Sequence, residues 1–140
     1  MIEVQYPELT LASVTPQHVE AYLATLRRTA QSIPELAAEW ATMDEAEQLH
    51  FRLDLSRAFG LRRLLGAVYQ SGRLTSEQVT TLADIDRELL GQAAAVEIVY
   101  GSSLRQLAHD LFAWGTPLAE QSGTVHVETT IAALAELAVE

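Results

Sequence analysis

The longest helical pattern in the chain occupies residues 44–70, DEAEQLHFRLDLSRAFGLRRLLGAVYQ. Asp44 and Glu47 have the spacing of a capping box, in which each side chain bonds a free N–H at the start of a helix. Apolar residues then recur every three or four positions, which predicts a helix from about Glu45 to Gln70. A helix that is apolar on two sides is typical of the buried centre of a bundle. The two stripes here are Leu49, Leu53, Ser56, Gly60, Leu64 and Ala67, and Phe51, Leu55, Ala58, Leu65 and Tyr69.

Two glycines, Gly60 and Gly66, lie inside this predicted helix. A glycine in a helix permits either a kink or the close approach of a neighbouring helix. A kink or a break at Gly60 remains open. Close packing is favoured at Gly66, because Leu65 and Ala67 flank it.

Five further helix-start signatures lie elsewhere in the chain: Thr15-Pro16, Ser32-x-x-Glu35, Thr75-x-x-Gln78, Ser103-x-x-Gln106 and Thr116-Pro117. Each places a capping side chain before a helical pattern or before a proline suited to a first turn. With the apolar spacing that follows them, they predict helices at about 16–31, 33–42, 76–100 and 104–112, with a short segment from 117 to near 123. Apolar spacing alone predicts a last helix at about 130–139. Alternating apolar residues predict short strands near 2–11 and 124–128. The expected fold is an all-α single domain over residues 1–140, a bundle of about six helices around a long central helix.

Composition limits the classes of partner. The chain has 140 residues, a formal net charge of −10 and no cysteine. A negative charge of this size argues against nucleic acid as the main partner, because phosphate binding needs a basic face. No apolar run approaches the ~20 residues of a membrane span, so no membrane contact is expected. The lack of cysteine and of an evident signal peptide favours a cytoplasmic location.

Charge is distributed unevenly along the chain. Residues 35–50 hold five acids and no arginine, whereas residues 51–73 hold five arginines and one acid, Asp54. These arginines either pair with acids inside the fold, Asp86 being one candidate, or form a docking strip for an acidic partner. Arg52 and Arg63 share one helix face. Trp40 and Trp114 are either buried anchors or partner contacts. The candidate partner-binding residues are therefore Arg52, Arg63, Trp40 and Trp114.

One group of residues has the spacing of a metal site. Glu47 and His50 lie three positions apart, and Asp54 extends the same helix face by one turn. The Glu–His spacing is similar to that of di-iron carboxylate bundles, where each of two helices supplies such a pair. This resemblance implies a site completed across a symmetric dimer, with Glu47, His50 and Asp54 as metal ligands. The other interpretation is that Glu47 only caps the helix and His50 is a surface residue.

No phosphate-binding loop, serine-nucleophile motif or other complete catalytic set occurs in the sequence. We therefore expect a non-enzymatic, acidic helical protein that acts through protein–protein contacts as an assembly, accessory or adaptor factor. Homo-oligomers are expected, and no cofactor. The alternative is a metal-dependent helical enzyme or metal carrier. It would use a divalent metal held by Glu47 and His50 across a dimer, or by Asp84, Asp86 and Glu88.

Overall fold

The computed structural model describes residues 14–121 and 127–137, and within these ranges the protein is an all-α bundle. This confirms the predicted fold class. Seven α-helices are present in the described residues, and a short 3₁₀ turn at Trp40–Thr42 follows the first of them. The helices are α1 (Pro16–Glu39), α2 (Glu45–Gln70), α3 (Ser76–Gly91), α4 (Ala93–Tyr100), α5 (Leu104–Trp114), α6 (Pro117–Gln121) and α7 (Val127–Leu137).

The capping side chains set the starts of four helices. At α2, the Asp44 carboxylate accepts the Glu47 N–H at 2.8 Å, and the Glu47 carboxylate accepts the Asp44 N–H at 3.2 Å. Thr75 makes the same two-way arrangement with Gln78 at the start of α3. The side chains of Thr15 and Ser103 cap α1 and α5. Satisfying these N–H groups favours helix initiation at the predicted positions.

The first helix is longer than predicted. Two helices were expected on either side of Ser32, but α1 continues through Pro34 to Glu39. The predicted cap at Ser32 does not form, because its hydroxyl donates to the Thr29 carbonyl at 2.8 Å within the helix. The ring of Pro34 lacks an N–H, which costs one hydrogen bond but leaves the apolar stripe uninterrupted. Burial of that stripe therefore overrides the local stop signal.

The fourth predicted helix is divided in two. A single helix was expected from residue 76 to Tyr100, but α3 ends at Gly91 and α4 begins at Ala93. At the junction, Gln92 has φ −107° and ψ 20°, which is outside the helical region. The exposed Gly91 before it lowers the cost of leaving the helix. Beyond this break, α4 packs against α1, α2 and α5.

The predicted strands have different outcomes. Residues 2–11 and 124–126 lie outside the described residues. Val127 and Glu128, at the end of the second predicted strand, are the first two residues of α7, so that prediction is wrong there. An acidic residue in the first turn of a helix is favoured by the helix dipole, and Glu128 occupies that position. It also pairs with Arg105 of α5.

The core is continuous across the bundle. Helix α1 packs against α2, α3 and α4, while α3 contacts α6 and α7 and α5 contacts α7. The Leu55, Ala58 and Leu65 stripe of α2 is buried as predicted. Gly66 is also at a close contact, because a Cβ built on it would lie 2.0 Å from the Trp114 carbonyl oxygen. Helix α2 continues through Gly60 without a break.

Candidate functional site

The most unusual surface of the protein is the other stripe of α2. Burial of both stripes was expected, but Leu49 is 57% exposed and Leu53 is 49% exposed. Ser56 and Gly60 continue the same stripe and are exposed, and Leu64 is half-buried. We call this stripe of five residues, Leu49, Leu53, Ser56, Gly60 and Leu64, the open face. The expectation fails because no helix in the described part of the chain packs over it.

A groove of about 580 Å³ runs beside the open face. It lies between α1 and α2 and shares Gly60 and Leu64 with the open face. Most of its walls are uncharged, and a pair of charges, Arg57 and Asp54, stands at its side. Its lining residues are Thr25, Thr29, Asp54, Arg57, Ala58, Gly60, Leu61 and Leu64. The open face and the groove together form one mainly apolar strip, joined at Gly60 and Leu64.

The net charge of α2 changes sign along the length of the helix. Residues 45–56 contain three acids and one arginine, whereas residues 57–70 contain three arginines and no acid. Arg57 Nη1 lies 3.2 Å from Asp54 Oδ1, where the acidic half meets the basic half. Because both side chains are exposed, this ion pair contributes little to stability. Its position marks the middle of the open face.

Trp40 and Arg52 stand at the N-terminal end of the open face. Trp40 is only 8% exposed and belongs to the core, so its ring is an anchor of the bundle. The Arg52 guanidinium lies 5.3 Å from the centre of that ring, in cation–π contact. Arg52 Nε also donates to the Val99 carbonyl of α4 at 3.1 Å. Both predicted partner-binding residues thus have contacts within the fold.

Trp114 and Arg63 form a second tryptophan–arginine pair, towards the C-terminal end of α2. The Arg63 guanidinium lies 5.4 Å from the centre of the half-buried Trp114 ring, which also packs against Phe59. Arg63 itself is exposed. An arginine held on an aromatic ring loses less side-chain entropy when it pairs with a carboxylate, because its position is already restricted. Arg63 is therefore the better placed of the two arginines to contact a partner.

The predicted metal ligands Glu47, His50 and Asp54 lie along one exposed side of α2. His50 Nε2 is 3.4 Å from Asp54 Oδ2. Glu47 Oε1 is occupied by the capping box, and Asp54 Oδ1 accepts from Arg57. Across residues 14–121 and 127–137, no group of three or more acidic or histidine side chains has the arrangement needed to hold a metal ion. Glu47 and Asp54 are thus engaged in helix contacts.

Two acids of the predicted second metal cluster, Asp84 and Asp86, have different surroundings. Asp84 is exposed and lies 3.4 Å from Arg87, one turn further along the helix. Asp86 is fully buried and receives two hydrogen bonds of 2.7 Å from Arg62 of α2. The sequence indicated that Asp86 could pair with one of these arginines, and the pairing is confirmed.

The Arg62–Asp86 pair belongs to a larger buried network. Arg62 Nη2 also donates to the Gly115 carbonyl at 2.7 Å, and the Thr116 hydroxyl donates to Asp86 at 2.5 Å. The same hydroxyl accepts the Leu118 N–H at 3.2 Å at the start of α6. This network ties α2, α3 and the turn between α5 and α6 together. Both charged side chains of the network are fully buried.

The phenol of Tyr69 has a raised pKa. Burial and the nearby Glu120 carboxylate raise the pKa of its phenol to about 12. The folded protein therefore holds the phenol proton more tightly than the unfolded chain does. Tyr69 lies near the C-terminal end of α2, away from His50 and Asp54.

Comparison of the chain with protein-family models, with curated proteins and with solved structures finds no match. Each helix in the described ranges is too short or too polar to cross a membrane. The candidate site is therefore defined by geometry alone. It is the open face of α2 with its adjoining groove and its flanking charges.

Proposed function

We propose that this protein is an assembly or adaptor factor that acts through protein–protein contacts made by the open face of α2. The observation that carries the proposal is the exposure of Leu49 and Leu53, one turn apart on the longest helix. Two leucines that would be buried in an ordinary bundle helix are here available to a partner. Contiguous exposed apolar surface with a polar rim is typical of an interaction site.

The surroundings of the open face support a protein as the partner. A helix laid into an apolar groove makes contacts every three or four residues, which matches the spacing of the open-face residues Leu49, Leu53, Ser56 and Gly60. Arg57 and Arg63 supply charged contacts at the rim, where such contacts direct the choice of partner. The net charge of −10 supports a protein partner over nucleic acid, and the lack of cysteine fits a cytoplasmic protein.

The competing metal hypothesis has less support from the contacts. Glu47 and Asp86, one from each predicted cluster, already bond to a helix start and to Arg62, respectively. A metal ion would have to displace both kinds of bond. Leu49 and Leu53, in contrast, are 57% and 49% exposed, and a partner can cover that surface without displacing a hydrogen bond of these side chains.

Site-specific photo-crosslinking tests the proposal. A photo-reactive amino acid would replace Leu53 on the open face, and a matched variant would carry it at Thr80, an exposed position on α3. We expect irradiation of cells producing each variant to give discrete protein adducts from position 53. Position 80 should give few. Equal adduct patterns from both positions, or none from position 53, would contradict the proposal.

A further inference from the structure

We infer that the partner segment is an amphipathic helix that lies lengthwise between α1 and α2, with lysine or arginine at the end that lies beside Glu35 and Glu39. This inference rests on the proposed function and states the chemistry of the partner. It uses three features of the described residues: the length of the groove, the helices that form its walls, and the acids at one end of it.

The groove beside the open face continues towards the N-terminal end of α2. A second cavity of about 250 Å³ adjoins the first, and the two share Thr29 and Asp54 in their walls. The second cavity reaches Glu39 on α1 and Phe51 on α2. From Phe51 to Leu64, the combined groove is ~20 Å long at a rise of 1.5 Å per residue, which suits a helix of about 13 residues.

The walls of the groove favour a helix over an extended segment. They are the sides of α1 and α2, whose backbone N–H and C=O groups bond within their own helices. An extended segment would find no row of backbone partners here, whereas a helix satisfies its own backbone groups. A third helix between two packed helices also repeats ordinary bundle packing. Because Gly60 and Leu64 belong to both the groove and the open face, such a helix covers part of the open face as well.

The charged side chains differ between the two ends of the groove. In the described part of the chain, the walls of the second cavity hold the carboxylates of Glu35, Glu39 and Asp54 and no basic side chain. Asp54 pairs with Arg57 of the first cavity at 3.2 Å. Glu35 and Glu39 are exposed, one helical turn apart. A lysine or arginine of the partner is complementary to these two acids.

The same two acids occupy an unfavourable position on α1. The helix ends at Glu39, and the C-terminal end of a helix carries a partial negative charge, which favours cations and disfavours acids. The last turn of α1 contains no basic residue. Residues 35–50 hold five acids and no arginine or lysine, and the next arginine, Arg52, bonds the Val99 carbonyl of α4. A cationic side chain of a partner would therefore relieve repulsion that the protein alone retains.

Fluorescence anisotropy with two labelled peptides tests the inference. The first is a helical peptide of about 14 residues, matched to the groove, with leucine at every third or fourth position and lysines at one end. The second has glutamate in place of each lysine. We expect the full chain to bind the lysine peptide at least about tenfold more tightly, because only its charge is complementary to the acidic end. Added salt should weaken this binding.

Charge-matched variants separate the groove from the net charge of the protein. Glu35→Gln with Glu39→Gln removes two acids of the groove, and Glu97→Gln with Glu136→Gln removes two exposed acids of α4 and α7. Each pair raises the formal net charge by two. We expect the first pair to weaken binding of the lysine peptide at least about threefold and the second to leave it unchanged. In a thermal scan, the first pair should be at least as stable as the unmodified chain, since it removes acids from the C-terminal end of α1.

Gly60 and Gly91 give a second matched comparison. Both are exposed helical glycines with nothing within 4 Å of an added Cβ, so glutamine at either position has space in the free protein. Gly60 lines the groove, whereas Gly91 ends α3. We expect Gly60→Gln to weaken binding of the lysine peptide at least about fivefold, because its side chain takes the space of the partner. Gly91→Gln should leave the affinity unchanged.

Three results would overturn the inference. They are equal affinity for the two peptides, an equal loss in the two double-glutamine variants, and an unchanged affinity in Gly60→Gln. The first would show that the charge of the partner does not matter. The second would show that only the net charge of the protein matters. The third would show that the peptide binds outside the groove.

Crosslinks from position 53 distinguish this failure from failure of the proposed function. If position 53 crosslinks to a segment without lysine or arginine, from another protein or from a second copy of this chain, the open face has a partner of different chemistry. The further inference then fails and the proposed function stands. If position 53 gives no adduct, the proposed function fails as well.

Discussion

The buried pair of Arg62 and Asp86 permits a strong prediction about stability. Replacing Asp86 by asparagine keeps the shape of the side chain but removes its charge. The Arg62 guanidinium, which is fully buried, then has no counter-ion. Removing one member of a buried ion pair costs about 3–5 kcal/mol. We expect the free energy of unfolding of Asp86→Asn to fall by that amount.

The corresponding shift in melting temperature follows from the size of the chain. Unfolding entropy of about 2 cal/mol/K per residue gives roughly 0.3 kcal/mol/K for this protein near its midpoint. A loss of about 3–5 kcal/mol therefore lowers the melting temperature by about 10–17 °C. Urea titration followed by circular dichroism at 222 nm gives the free energy, and a thermal scan gives the midpoint. Both should be run at one protein concentration.

Two companion variants separate the charge effect from other causes. Asp84→Asn changes an exposed acid two residues away, which pairs with Arg87 at 3.4 Å, and should cost less than about 0.5 kcal/mol. The double variant Arg62→Met with Asp86→Leu should be more stable than Asp86→Asn, because no charge remains buried. A loss below about 1 kcal/mol in Asp86→Asn would refute the reasoning. So would a double variant less stable than that single one.

Three further predictions concern other positions. Gly66→Ala should lower the free energy of unfolding by about 1–3 kcal/mol, because its Cβ would overlap a backbone carbonyl. Gly91→Ala, with open space around the new Cβ, should raise it by up to about 1 kcal/mol. Urea titration compares the two variants, and equal effects would contradict this account. Pro34→Ala should raise the stability by about 1–2 kcal/mol, since it restores an N–H to α1 at an exposed site; an unchanged melting temperature would count against it. The phenol of Tyr69 should titrate at about 12 in an ultraviolet scan, later than its ordinary value of 10.0, and Glu120→Gln should lower that pKa. Because the folded state holds this proton more tightly, the protonated phenol contributes to the free energy of unfolding below pH 10, and this contribution is lost as the pH rises towards 12. If the Tyr69→Phe variant lost as much stability over this pH interval as the unmodified protein, the assignment would be refuted.

Local chemistry explains which parts of the fold could be predicted. A capping side chain and the N–H it satisfies are within four residues of each other, so Asp44 and Thr75 mark helix starts whatever the rest of the chain does. Ser32 has the same local pattern, yet the helix continues, because burial of the α1 stripe outweighs the cap. The break at Gln92 was missed since the apolar spacing runs through it unchanged.

The candidate site depended on information that periodicity does not contain. The spacing of Leu49 and Leu53 shows that they share a face, but it does not show which helix, if any, covers that face. Exposure follows from the packing of α1, α4 and α5 around the rest of α2. For Asp86, the sequence left open a position at the solvent edge or a pairing with an arginine of α2. The choice of Arg62 depends on the angle between α2 and α3, which only the folded chain defines.

The two tryptophans that contact arginines of α2 can report spectroscopically on the position of that helix. Trp40 and Trp114 are the only indoles in the chain, and each lies under an arginine of that helix. Arg52 and Arg63 are ~16 Å apart along the helix axis at 1.5 Å per residue. Fluorescence from single-tryptophan variants would therefore resolve movement at one end of α2 from movement at the other, without any attached dye.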